Sequence, residues 1–161
     1  MNDYIRELHD LCICHNFSLA IAESCTAGRI ASSISSLSNS SIYFKGGIIA
    51  YQNNIKIKHL DISPQIIEQE TAVSREVVSM MAINICKKFG SDFSLATSGY
   101  AGPNGGTSSN PVGVVYIAVA KNKQEDVIVK RCFFKGNRLS IIKQATDEAV
   151  RLLCTEIKKI S

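Results

Sequence analysis

The chain has 161 residues, of which 45% are hydrophobic and 20% are charged, close to the usage of ordinary globular domains. This composition excludes a chain that is disordered throughout, and a domain of this length can bury a core without disulfides or metals. The net charge of +4 suits an anionic small molecule and is too weak to indicate nucleic acid as a partner.

The cysteines and the N-terminal residues indicate the cellular compartment. Residues 1–10 are polar and charged, which does not match a signal peptide. Cys12, Cys86 and Cys154 fall on apolar faces of predicted helices, where cysteine packs as a small hydrophobe. No apolar run reaches the length of a membrane span. We therefore predict a cytoplasmic protein with reduced thiols and no membrane association.

Helical and strand patterns alternate from the start of the chain. A helix capped by Asp3 is predicted to end near His15, and the apolar residues 18–22 predict a buried strand. A second helix carries apolar residues at helical spacing as far as Leu37, and residues 47–51 predict a second strand.

The pattern continues with three more helices and a third strand. A short helix is expected through His59, another begins at Pro64, and a longer one runs from a Ser74 cap to Gly90. Residues 93–97 then form the third predicted strand.

A glycine-rich segment separates this region from the last three elements. Residues 99–113 contain five of the ten glycines and two of the three prolines, which indicates a loop. Residues 114–120 and 127–134 predict two strands of a hairpin, and Asn137 caps a long final helix. The alternation predicts one α/β domain over residues 1–161, whose mainly parallel sheet has helices on both faces and one antiparallel strand.

Polar residues follow three of the predicted strands, where α/β sheets bind their ligands. The first such segment places Ser24 between a buried strand and a helix, whose free backbone N–H groups can hold an anion or an oxyanion. Ser24 is therefore a candidate nucleophile. The alternative interpretation is that Ser24 or Thr26 only caps the helix. The adjacent Cys25 is a rival nucleophile, although neighbours on a strand point to opposite sides.

The second segment contains Tyr51 and Lys56. A serine needs a base, and lysine can serve if burial or a neighbouring cation lowers its pKa. Tyr51 could relay a proton or donate a hydrogen bond to the oxyanion. The alternative is a tyrosine at the edge of the core and a surface lysine.

The third segment is the glycine-rich loop, which can bring backbone N–H groups close to a ligand. It matches neither a phosphate-binding loop of the Walker type nor a dinucleotide fingerprint. His9, His15 and His59 lack the spacing of metal ligands, so we expect no metal and no cofactor.

Taken in order, these segments resemble the nicotinamide-nucleotide amidase family, which is also known as the C-terminal domain of competence-damage-inducible proteins, CinA. The resemblance covers residues 18–149. It rests on residues 22–26 with Gly28, on 47–51 with Asn53 and Lys56, on 72–74, on 99–106, on 111–113, and on Gly136 with Arg138.

This resemblance implies a three-layer α/β/α sandwich with a mixed, mainly parallel five-stranded sheet. It also implies hydrolysis of nicotinamide mononucleotide to nicotinic acid mononucleotide and ammonia, without a metal and in a homo-oligomer. By position, the catalytic residues are Ser24, Tyr51 and Lys56. The substrate-binding residues are Cys25, Thr26, Gly28, Asn53, Ser98, Gly99, Gly102 and Arg138, with Arg138 on the phosphate side.

The sequence departs from the family pattern at three positions. Ala27 replaces a glycine, Tyr100 replaces a smaller aliphatic residue, and Ile142 replaces an arginine. These changes leave open an altered pocket, the loss of a phosphate contact, or a non-catalytic nucleotide-binding or regulatory module. Many relatives carry a preceding nucleotide-pyrophosphatase domain, an activity that we do not expect from these 161 residues.

Overall fold

A computed structural model describes residues 3–123 and 126–161. The helices of this part are α1 (Asp3–His15), α2 (Arg29–Ser35), α3 (Asn53–Leu60), α4 (Pro64–Glu70), α5 (Arg75–Phe89) and α6 (Arg138–Lys158). Its strands are β1 (Leu19–Glu23), β2 (Phe44–Ile49), β3 (Phe93–Gly99), β4 (Val114–Lys121) and β5 (Val127–Phe133), with a 3-10 turn at Ser40–Ile42.

The strands form one five-stranded sheet in the order β2-β1-β3-β4-β5. β1 is parallel to both of its neighbours, whereas β4 is antiparallel to β3 and β5. Helices connect the parallel strands, as their crossovers require, and a hairpin joins β4 to β5. The predicted mixed, mainly parallel sheet with one reversed strand is confirmed. Residues 124 and 125 of the predicted hairpin turn lie outside the described residues.

Side-chain size alternates along β1 and separates the two faces of the sheet. Leu19 and Ile21 join a buried cluster with α1, α2 and α6, whereas Ala20 and Ala22 join a second cluster with α5. Small side chains let α5 pack closely against its face of the sheet. The sheet therefore lies between two helical layers, and the predicted α/β/α sandwich is confirmed.

Strand β2 lies elsewhere than predicted, at 44–49 instead of 47–51. It is an edge strand whose exposure alternates along its length, so it lacks the continuous apolar signature of a buried strand. Its pairing with β1 sets its limits, since Phe44 pairs with Leu19 and Ile49 with Glu23. The residues after Ile49 leave the sheet and lead toward α3.

Helix α2 ends at Ser35 and does not reach Leu37 as predicted. The hydroxyls of Ser35 and Ser36 donate to the carbonyl oxygens of Ser32 and Ser33. Such local bonds compete with the regular helical pattern and favour its end.

The predicted helix boundaries at Ser74, Gly90 and Asn137 are confirmed. The Ser74 hydroxyl accepts from Val77 N–H at the start of α5, and Gly90 ends that helix with a φ of 58°. Asn137 caps α6 by accepting from the N–H of Ser140. The predicted cap Asp3 instead lies inside the first turn of α1, where a carboxylate favours the helix dipole. Within the described residues, no helix combines the length and apolar character needed to cross a bilayer.

Candidate active site

The carboxyl ends of β1, β2 and β3 surround one cleft of about 470 Å³, a size suited to a small ligand. The three polar segments singled out in the sequence all reach it. Its lining includes nine of the predicted site residues: Ser24, Cys25, Tyr51, Asn53, Lys56, Ser98, Gly99, Gly102 and Arg138.

Ser24 and Lys56 are in direct contact at the base of this cleft. Ser24 follows the last residue of β1, and Lys56 lies in the first turns of α3. The Nζ atom of Lys56 is 3.1 Å from the Oγ atom of Ser24, and both residues are buried. The alternative of a surface lysine is therefore wrong.

Burial lowers the pKa of Lys56 to about 8 from an ordinary value of 10.5. Its Nζ also donates to the carbonyl oxygens of Ala50 at 2.7 Å and Tyr51 at 3.3 Å. A neutral amine has two N–H donors and one lone pair, so the two carbonyls can occupy its donors while the lone pair faces Ser24. The site thus accommodates the neutral form that a base requires.

Glu23, which the sequence analysis did not select, determines how the chain leaves β1. Its carboxylate is buried and accepts from the backbone N–H groups of Gly28, Ile30 and Ala31 at distances of 2.9–3.2 Å. It therefore occupies the first turn of α2. The predicted anion site at this helix N-terminus is wrong, and the cap is the Glu23 carboxylate instead of Ser24 or Thr26.

Thr26 and Gly28 lie away from the cleft, so their predicted substrate contacts find no support in the structure. Thr26 is fully buried, and its hydroxyl is 2.8 Å from that of Thr97 on β3. Gly28 has a φ of 90° and gives its N–H to Glu23. Both residues stabilise the turn that presents Ser24.

Cys25 lines the cleft but has a poor environment for a nucleophile. Burial raises the pKa of its thiol to about 12, so the reactive thiolate is disfavoured near neutral pH. Lys56 contacts the serine hydroxyl, which makes Ser24 the better supported of the two candidates.

Arg138 joins two sides of the cleft entrance. Its Nη1 donates to the carbonyl oxygen of Gly102 and its Nη2 to the hydroxyl of Tyr51, each at 2.7 Å. Among the described residues, the Tyr51 hydroxyl makes no hydrogen bond to Ser24 or Lys56, and Tyr51 contacts the lysine through its backbone carbonyl. The five donors of a guanidinium can bind an anion while these two bonds persist.

The remaining predicted binding residues have distinct positions. Asn53 begins α3 at the cleft, and the buried Ser98 hydroxyl donates to the carbonyl of Ala72 at 2.7 Å. A side chain at Gly99 would come within 2.6 Å of the Val114 carbonyl, so this glycine permits close pairing of β3 and β4. At Gly102, with a φ of 77°, a Cβ would collide with the side chain of Val112, so only glycine fits there.

The three departures from the family pattern have different structural consequences. Tyr100 lines the cleft, where its ring can alter the pocket. Ala27 is exposed outside the cleft with a φ of 48°, so its methyl group does not crowd a ligand there. Ile142 is packed in the core against the helices, and its position offers no contact to a phosphate in the cleft.

One wall of the cleft was not predicted from the sequence: it is formed by Ile67 of α4 and by residues 71–73. Residues 72–74 belonged to the family resemblance but had no role assigned to them. Their position opposite the ends of the strands depends on how α4 and α5 pack, which local patterns do not reveal. In the described part of the chain, no three His, Cys, Asp or Glu side chains are arranged to bind a metal ion.

Together, the fold and the cleft define an α/β/α sandwich protein with a buried serine–lysine pair at the carboxyl edge of its sheet. Comparison with known proteins identifies the family. The chain belongs to the CinA family, because the model of the CinA C-terminal domain matches residues 2–157.

Relatives with similar sequences carry names of the same family. The chain is 38% identical over 143 residues to a competence-damage inducible protein of Moorella thermoacetica, an alignment that covers 89% of this chain and 34% of the relative. It is 46% identical over 125 residues to a CinA-like protein of Prochlorococcus marinus, covering 77% of this chain and 29% of the relative. The chain thus spans about a third of the length of these curated relatives.

Solved structures support the same assignment at the level of the fold. Competence damage-inducible protein A of Klebsiella pneumoniae is 27% identical, with a TM-score of 0.93 over 98% of this chain and 96% of that chain. A competence/damage inducible protein of Agrobacterium tumefaciens is 26% identical, with a TM-score of 0.92 over 96% and 93% of the two chains.

Proposed function

We propose that this chain hydrolyses the carboxamide of nicotinamide mononucleotide to give nicotinic acid mononucleotide and ammonia. The main support is the contact between Ser24 and a buried lysine whose pKa is lowered to about 8. At roughly pH 7.4 such a pKa leaves about one lysine in five neutral, against about one in a thousand for an ordinary lysine.

In the first half of the reaction, neutral Lys56 takes the hydroxyl proton of Ser24 as the Oγ atom attacks the carboxamide carbon. The carbonyl oxygen becomes an oxyanion in the tetrahedral intermediate. Lys56 then gives its proton to the amide nitrogen, the C–N bond breaks, and ammonia leaves an acyl ester on Ser24.

In the second half, Lys56 accepts a proton from water, and the resulting hydroxide attacks the ester carbon. The second intermediate collapses, the proton returns to the Ser24 oxygen, and the product leaves as the carboxylic acid, which transfers its proton to the released ammonia at neutral pH. One water is consumed and one ammonia is released, so the protons balance over the cycle.

The oxyanion needs a donor other than the start of α2, which Glu23 occupies. We assign this role to the backbone N–H of Cys25, directly after the nucleophile. Within the described residues, no backbone carbonyl accepts a hydrogen bond from it. The Tyr51 hydroxyl is the second candidate donor at the cleft.

The substrate assignment combines charge with the family resemblance. Arg138 supplies a cation at the cleft entrance and suits the nucleotide phosphate. The pyridine carboxamide would then lie deeper, at Ser24. We further propose that the enzyme is cytoplasmic and homo-oligomeric; light scattering on the purified protein would test the oligomeric state.

The deciding experiment incubates the purified protein with nicotinamide mononucleotide and measures ammonia and the acid product. Ser24→Ala should abolish turnover while the protein stays folded, and the matched variant Cys25→Ser should retain substantial activity. Binding without turnover in the parent protein would support the non-catalytic alternative. Activity of Ser24→Ala within about threefold of the parent would exclude this nucleophile.

A further inference from the structure

The wall of the cleft at residues 71–73 includes a strained backbone. Thr71 has a φ of 67° and a ψ of 161°, a region that is almost restricted to glycine and is unfavourable for a β-branched residue. Such a conformation persists only where the surrounding contacts hold it. Since Thr71, Ala72 and Val73 line the cleft beside Ser24, these contacts bear on ligand binding.

Each carbonyl of this wall accepts a hydrogen bond from a serine, threonine or asparagine side chain. The hydroxyl of Ser74 donates to the Thr71 carbonyl at 2.9 Å, and that of Ser98 to the Ala72 carbonyl at 2.7 Å. The Val73 carbonyl accepts from Asn110 Nδ2 at 3.1 Å and from the Thr71 hydroxyl at 3.2 Å. Ser98 and Asn110 thus connect the wall to distant parts of the chain.

Asn110 is itself anchored to the sheet. Its Oδ1 accepts from the Tyr116 hydroxyl at 3.2 Å and from Arg131 Nε at 3.3 Å. Tyr116 on β4 and Arg131 on β5 are direct partners in the register of the two strands. Because Arg131 can only donate and the Val73 carbonyl can only accept, these neighbours determine the orientation of the Asn110 amide.

The backbone around Asn110 is also held in place. Its N–H donates to the hydroxyl of Thr107, and its carbonyl accepts from the Thr107 N–H. Arg131 Nη2 adds a bond to the Ser109 carbonyl at 3.0 Å. Hydrogen bonds from Arg131 therefore fix the end of the glycine-rich loop to β5, and this holds Asn110 next to the wall.

We propose that Asn110 is a positioning residue. It holds residues 71–73, the strained wall of the cleft, in place and thereby maintains the affinity of the cleft for substrate. It acts through the Val73 carbonyl and does not touch the reacting atoms. The effect on affinity rests on the proposed function, whereas the effect on the wall does not.

Asn110→Asp separates this role from general stability. The aspartate keeps an acceptor for Tyr116 and Arg131, and its charge favours Arg131, but it has no N–H to offer Val73. We expect KM for nicotinamide mononucleotide to rise at least about fivefold while kcat stays within about twofold of the parent. Amide hydrogen exchange of residues 71–74 should accelerate, with an unchanged thermal midpoint.

Tyr116→Phe is the matched control, since it removes one anchor of Asn110 but leaves the bond to Val73. Its KM and its exchange at residues 71–74 should stay close to those of the parent. Unchanged exchange in Asn110→Asp, or an equal change in both variants, would overturn the inference. If the parent does not hydrolyse the nucleotide, the proposed function fails, and hydrogen exchange alone decides whether Asn110 holds the wall.

Discussion

At the scale of single residues, the proposed chemistry depends on the protonation of Lys56. A base must be neutral to act, so kcat/KM should rise with pH and level off above the lowered pKa of about 8. Lys56→Ala should cost at least about a hundredfold, the lower end of what a general base contributes. Lys56→Arg should not restore activity, because arginine stays charged at any working pH.

Measurements of kcat/KM against pH for the parent and both variants would test this role. A flat profile for the parent near pH 8 would contradict it. So would an active Lys56→Arg enzyme, which would show that only the positive charge of the side chain matters.

Arg138 provides the second prediction at this scale. Its guanidinium is exposed at the cleft entrance and has donors beyond the two that contact Gly102 and Tyr51. Arg138→Ala should weaken binding of nicotinamide mononucleotide roughly tenfold or more, and binding of the dephosphorylated riboside much less. Titration calorimetry with both ligands would test this difference. Equal losses for the two would show that Arg138 only supports the loop.

At the scale of secondary structure elements, the turn from β1 into α2 explains how Ser24 is presented. The Glu23 carboxylate closes this turn from inside, while Ala27 adopts a left-handed conformation at its outer side. The methyl group at position 27 therefore affects backbone energy and lies outside the ligand site. From the sequence alone, replacement of the family glycine by Ala27 was expected to alter the pocket. In the structure its cost is instead a loss of folding stability.

Ala27→Gly should consequently stabilise the protein. Relief of the left-handed strain outweighs the greater entropy of glycine in the unfolded chain, so the free energy of unfolding should rise by about 0.5–1 kcal/mol. Ala31→Gly is the control. Residue 31 has a helical backbone without left-handed strain, so glycine there should lower the free energy of unfolding by about 0.5–1 kcal/mol. Urea unfolding of both variants measures the two effects. A stability loss in Ala27→Gly would contradict the explanation.

At the scale of the whole molecule, burial of Lys56 makes folding stability depend on pH. The unfolded chain binds the proton more tightly than the folded protein between the folded pKa of about 8 and the ordinary value of 10.5. The free energy of unfolding should therefore rise as the pH increases across this window, by at most about 3 kcal/mol. Below the window, the folded protein buries a charged lysine, and the destabilisation has its full value.

The comparison with Lys56→Met isolates this effect from other groups that titrate at alkaline pH. The difference in unfolding free energy, variant minus parent, should shrink as the pH increases from 8 to 10.5. A constant difference would mean that the folded protein keeps Lys56 charged, and the proposed base would lose its support.

Metal removal provides a further test of the whole protein. A serine–lysine mechanism has no step that needs a divalent ion, so exhaustive dialysis against EDTA should leave kcat/KM unchanged. Loss of activity, restored by a divalent ion, would show that the mechanism is incomplete.

The amino-acid pattern alone predicted most of the fold, because hydrophobic periodicity and caps are local. The apolar run of β1, the Ser74 and Asn137 caps and the stop at Gly90 each depend on neighbours within a few residues. The convergence of the Ser24, Lys56 and glycine-loop segments was also predictable, since parallel strands place their carboxyl ends at one edge.

The tertiary structure decided what each side chain does at that edge. The sequence was compatible with a surface position for Lys56, but the packing of α3 buries this residue. Thr26 was compatible with a helix cap, but its hydroxyl bonds to that of Thr97. The roles of Glu23 and Asn110 depend on bonds that form only once the turn and the loop are folded. Burial and hydrogen bonding between segments distant in sequence set pKa values and backbone strain, and local sequence patterns carry no information about either.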